Sequence, residues 1–123
     1  MIKQLLLVGI GGFTGSIFRY LTYLWVDKKF EGAFPLATFS VNIIGSFFLG
    51  LLYGAAVRSD LISQDLRLLL GVGICGSYTT FSTFAFENMG LLGQKDFVTI
   101  AYYIPGSILL GLLAAYGGYS ILR

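Results

Sequence analysis

Between Gly76 and Phe84 the chain reads Gly76-Ser77-Tyr78-Thr79-Thr80-Phe81-Ser82-Thr83-Phe84, which places six hydroxyl side chains in the middle of a long apolar stretch. Lipid offers hydroxyls and irregular backbone no hydrogen-bond partners, so such residues persist at that depth only where they face protein or water. The run therefore reads as a pathway or a binding site. Its chemistry is donor-rich, because Ser, Thr and Tyr hydroxyls donate, and Phe81 and Phe84 share a helix face and carry electropositive ring edges.

Other spans repeat this chemistry at helical spacing. Thr38, Asn42 and Ser46 fall four apart, as do Tyr103, Ser107 and Gly111, while Thr80, Thr83 and Glu87 are three and four apart. Away from the ends of the apolar stretches, only Arg19 and Glu87 carry charge. Asn42 and Glu87 are costly at membrane depth, which makes function the default reading for both. A small anion that binds donors strongly suits such a site, and it can leave because no ring of fixed positive charge holds it.

The elements that must position these groups are membrane helices. Mean hydropathy is +0.82, charged residues make up 11% and aromatics 16%. Four stretches, Ile2 to Val26, Phe34 to Val57, Leu66 to Leu92 and Phe97 to Leu122, meet the roughly 20 residues needed to cross a bilayer. Short polar joints connect them: Asp27-Lys28-Lys29, Arg58 to Asp65, and Gln94-Lys95-Asp96. The expectation is an all-α integral membrane protein with one domain over residues 1–123 and a third helix broken at its centre near Gly76. The first stretch runs past Arg19 without a small-residue cleavage site, which argues against a signal peptide.

At about 1.5 Å per residue, Arg19, Asn42, Phe84, Glu87 and Ser107 all lie about 8 to 15 Å from the same side of the membrane. One protomer thus supplies half a polar track. The glycine pairs Gly11 with Gly15 and Gly50 with Gly54 have the spacing of close helix contacts. Pro35 suits the first turn of its helix, and Pro105 should bend the last span. Histidine is absent and Cys75 is alone, which excludes zinc chemistry, histidine acid-base catalysis and a disulfide. Neither an enzyme activity nor a nucleic-acid partner is expected.

Four spans put Lys3, Arg58, Arg67 and Arg123 on one side and Lys28, Lys29 and Lys95 on the other, a balance of 4 to 3 with Arg19 set aside. Such a small bias specifies orientation poorly. A chain that inserts both ways can pair head to tail, and the second copy would complete the polar track in the opposite half.

The order and spacing of several motifs resemble the Fluc (CrcB) fluoride channels. These motifs are Gly11-Gly12-Phe13-Thr14-Gly15 with Arg19-Tyr20, Thr38 with Val41-Asn42 and Gly45, and Gly76 with Thr79-Thr80-Phe81-Ser82-Thr83-Phe84. The resemblance covers all four spans. It implies an antiparallel, dual-topology homodimer in the cell membrane that passes fluoride passively through two pores, with a sodium ion at the dimer centre. It makes Phe81 and Phe84 the fluoride-coordinating rings, Asn42 the pore asparagine, and Tyr103 and Ser107 the pore residues of the last helix. Gly76 and Thr79 would offer backbone carbonyls to sodium. Thr80, Ser82, Thr83 and Glu87 would extend the polar track, and Arg19 would line a vestibule. Gly111 stands where some relatives are expected to carry a hydroxyl.

Two other classes fit four spans. A small multidrug-type proton-coupled exporter needs a titratable carboxylate in a shared cavity, and the first span holds no acid within its apolar run. An accessory protein would have no use for a costly Asn42 or a central break.

Overall fold

The computed structural model describes residues 1–59 and 62–123, so the expected Arg58 to Asp65 joint includes two positions, 60 and 61, outside the described residues. The described residues form helices and short connections. Helix α1 spans Ile2–Lys29 and α2 spans Leu36–Arg58. Helix α3 covers residues 64–78, α4 covers Phe81–Gly93, and α5 covers Phe97–Leu122. Residues Gln64–Gly93, with α3 and α4 end to end, make the third of four stretches long and apolar enough to cross a membrane.

The boundaries follow local chemistry. Helix α1 outlasts its apolar run by one turn because Lys28 and Lys29 complement the negative helix terminus, and Lys29 Nζ sits 5.3 Å from the centre of the Trp25 ring. Pro35 precedes the first residue of α2. Ser63 and Asp96 cap the helices that follow them, accepting from the backbone N–H of Leu66 and Thr99. Helix α5 runs unbroken through Pro105.

Helix α1 packs mainly on α3, and α2 on α5, while α4 reaches α5 and touches α2. Glycines set the closest approaches. A methyl group on Gly11 would lie 2.5 Å from the Leu69 carbonyl oxygen and 2.7 Å from the Gly73 Cα, so α1 and α3 meet backbone to backbone. Gly50 and Gly54 face the backbone of α5 in the same way. Both glycine pairs therefore do pack helices. At the membrane edge, Lys3 Nζ bonds Asp65 Oδ2 at 2.6 Å and ties the starts of α1 and α3.

Helix α3 carries a π-helical stretch, Leu68–Cys75, in which the Gly76 N–H reaches back to the Gly71 carbonyl. Such stretches frequently mark functional sites. The interruption expected at Gly76 falls three residues later. Gly76 is helical, and the chain turns extended at Thr79 (φ −85°, ψ 161°) and Thr80 (φ −153°, ψ 119°). Tyr103, Val41 and Thr38 are the largest fully buried side chains, and many large apolar residues face outward, as lipid or a partner chain requires.

Candidate functional site

The helix break is held from outside the third span. Asn42 on α2 accepts the Thr80 N–H on Oδ1 at 2.8 Å and donates from Nδ2 to the Thr80 carbonyl at 3.1 Å. In a continuous helix that N–H would serve the carbonyl of Gly76. Thr80 then starts α4 by accepting the Thr83 N–H at 3.2 Å on its own hydroxyl, and donates that hydroxyl's proton to Thr83 Oγ1 at 3.1 Å. Ser82 Oγ lies 3.4 Å from the same hydroxyl. The break is thus a hydrogen-bonded joint, and Asn42 keeps one amide hydrogen for other use.

A cavity of about 380 Å³ opens beside this joint. Asn42, Gly76, Thr79, Thr80, Phe81, Phe84 and Ser107 all line it, so seven positions singled out in the sequence meet in one space. Ser46, Cys75 and Gly45 complete much of the remaining wall. Ser107 Oγ is buried without a hydrogen-bond partner among the described residues, which leaves its proton available to an acceptor. The Phe81 and Phe84 ring centres are 5.9 Å apart, and Phe84 meets Tyr103 edge to face at 4.8 Å. Phe81 is 77% exposed within the protomer, whereas Phe84 is half-buried.

Behind Phe84 lies a second polar group built around Glu87. Tyr103 donates to Glu87 Oε1 at 2.6 Å, and Thr38 donates to Oε2 at 2.7 Å. Thr38 has one hydroxyl proton and spends it on Glu87, so the Tyr23 hydroxyl, which contacts Thr38 Oγ1, is the donor in that pair. Four residues from α1, α2, α4 and α5 are joined in this way. The Tyr103 proton is directed at Glu87, and an anion entering here must compete with that carboxylate for donors.

Arg19 and Thr83 line a separate cavity of about 360 Å³ with Ser16, Tyr23 and Asp27. Arg19 Nη1 also donates to the Thr79 carbonyl at 3.4 Å, so the residue reaches the break. Sequence reasoning passed over Tyr23, whose signal was its position four residues after Arg19 and four before Asp27 on one face of α1.

Among the described residues no three His, Cys, Asp or Glu side chains gather as they would for a metal ion. Backbone oxygens remain as ligands. The Gly76 carbonyl has lost the Thr80 N–H to Asn42, and the Thr79 carbonyl carries a long bond from Arg19. Oxygen donors freed at the end of a helix suit a hard cation such as sodium, so the residues present fit one.

Residues 6–119 match the family described as CrcB-like protein, Camphor Resistance (CrcB). A protein of Chlorobium phaeobacteroides named fluoride-specific ion channel FluC is 45% identical over 117 residues, covering 95% of this chain and 90% of the relative. A protein of the same name from Bacteroides fragilis is 46% identical over 121 residues, covering 95% and 94%. Another from Flavobacterium psychrophilum is 39% identical over 121 residues and covers 98% of each chain. With most of each of the four spans and every residue that lines the donor-rich cavity inside the family match, the chain belongs to the CrcB-like family.

Proposed function

We propose that this multi-pass membrane protein is a passive, fluoride-selective ion channel of the cell membrane. The observation that carries the reading is the cavity that brings together Phe81, Phe84, the Asn42 amide and Ser107, whose buried hydroxyl has no hydrogen-bond partner among the described residues. Each of these groups presents positive charge density. Fluoride is small and accepts hydrogen bonds strongly, so it gains most where several donors and ring edges converge and bulk water is excluded. Shared names among the relatives support the same ion.

The working unit in this reading is an antiparallel homodimer with two pores. Its support is the charge balance of 4 to 3, the outward apolar faces and the half-length polar track. Phe81 would work with groups of the second copy, which accounts for an aromatic ring left exposed in one protomer. Asn42 holds the break open and offers its remaining N–H. Glu87 fixes Tyr103 and Thr38 at the edge of the track. Gly76 and Thr79 would hold sodium through their carbonyls, and the ion would supply a fixed positive charge between the two breaks.

Liposomes loaded with fluoride test the function. A fluoride electrode should record efflux once a potassium ionophore releases the membrane voltage, with no proton gradient applied. Flux that runs only with a proton gradient would return the exporter reading. Topology has its own test: two lysines added near Gly32 change the balance to 4 to 5, and two added beside Ser59 change it to 6 to 3. Each variant alone should fail to protect cells from fluoride, and the pair expressed together should recover. Full protection by a variant labelled from one membrane face only would exclude the antiparallel dimer.

A further inference from the structure

The side chain that reaches the break from α1 is itself a cation. Arg19 Nη1 donates at 3.4 Å to the carbonyl of Thr79, one of the two oxygens assigned above to sodium. We propose that Arg19 is a positioning residue that competes with the alkali cation for the Thr79 carbonyl and thereby sets the cation affinity of the channel. The inference rests on the sodium reading under Proposed function.

Three observations make the competition local and reversible. Helix α1 is pressed onto α3 at Gly11 and Gly15, so the base of the Arg19 side chain, one turn beyond Gly15, has a fixed distance to the break. The Thr79 hydroxyl bonds the Cys75 carbonyl at 3.0 Å and does not shield the Thr79 carbonyl from either cation. The bond from Arg19 is long and single, and the guanidinium has four further N–H groups.

Arg19 also borders the cavity lined by Ser16, Tyr23, Asp27 and Thr83. The guanidinium thus has two stations: inward on the Thr79 carbonyl, and outward on the side of Asp27. With no alkali cation present, the inward station gives the freed carbonyl a donor and a positive charge. A bound cation repels the guanidinium and favours the outward station. Removing the Arg19 charge must then tighten cation binding, while removing the Asp27 charge must weaken it by holding Arg19 inward.

The test uses the purified full chain and measures melting temperature against sodium chloride, with N-methylglucamine chloride replacing sodium at constant ionic strength. Arg19→Gln keeps a donor and loses the charge, and its half-saturating sodium concentration should fall about tenfold. Asp27→Asn should shift it several-fold the other way. Opposite shifts are what a merely structural role does not give. Unchanged half-saturation in both variants, or weaker binding in Arg19→Gln, overturns the proposal. Should Arg19→Gln fail to fold, Asp27→Asn decides alone, and an unchanged value there overturns it. A parent that sodium stabilises no better than N-methylglucamine overturns the sodium reading, and the competition falls with it.

Discussion

Asn42 and Thr80 are 38 residues apart and exchange two hydrogen bonds, the Thr80 N–H onto Oδ1 at 2.8 Å and Nδ2 onto the Thr80 carbonyl at 3.1 Å. A side-chain amide here takes the place of the helix's own ladder, in a site where an unpaired backbone group is expensive. Asn42→Ala leaves the Thr80 N–H of a buried residue without its partner and should cost about 1–3 kcal/mol in denaturant or thermal unfolding. Asn42→Asp still accepts that N–H but adds an anion to the cavity, and fluoride flux from liposomes should stop. Undiminished flux with aspartate would remove Asn42 from the pathway.

Phe81 and Phe84 separate packing from conduction. Phe81 is 77% exposed in the protomer, so Phe81→Ile should keep protomer stability, whereas Phe84→Ile also loses an edge-to-face contact with Tyr103 worth about 0.5–1.5 kcal/mol. Both variants should slow fluoride efflux sharply, because an aliphatic side chain has no electropositive edge. Efflux at the parent rate in both would reduce the two rings to packing.

Glu87 binds two donors, and the account requires them to act together. Tyr103→Phe and Thr38→Val should each destabilise by about 1.5–3 kcal/mol, the range for hydrogen bonds to a charged group. A double-mutant cycle should give a coupling of about 0.5–3 kcal/mol. Strict additivity would mean that the two hydroxyls serve Glu87 independently.

Neighbouring glycines on α1 give a control for helix packing. Gly11→Ala drives a methyl into the Leu69 carbonyl and the Gly73 backbone and should cost about 1–3 kcal/mol, since neither is a side chain that can turn away. The methyl of Gly12→Ala meets nothing within 4 Å, and the change should be neutral or stabilising by up to about 1 kcal/mol. Equal melting temperatures for the two variants would contradict the close α1 to α3 contact.

Much of this arrangement was legible because apolar length and hydroxyl spacing are local properties of a chain. The four spans, the packing of Gly11, Gly15, Gly50 and Gly54, and the gathering of Asn42, Phe81, Phe84 and Ser107 all follow from runs and periods of three to four. The exact seat of the break did not, since glycine drew attention to Gly76 while the cause is a bond from Asn42 on another helix. Tyr23 was passed over as well, because its hydroxyl meets Thr38 through a contact between α1 and α2 that no single-helix spacing reveals. The extra turn of α1 came from Lys28 and Lys29, which are polar yet good helix formers.

The central claim is that fluoride crosses alone, down its own gradient, and the most direct measurement is electrical. In a planar bilayer with a tenfold fluoride gradient, equal pH on both sides and chloride absent, a fluoride channel should reverse at about 59 mV, the value for one monovalent charge per tenfold gradient. Imposing a pH difference should leave that potential where it is. A reversal potential that follows the proton gradient, or no current when fluoride is the permeant anion, would contradict the account.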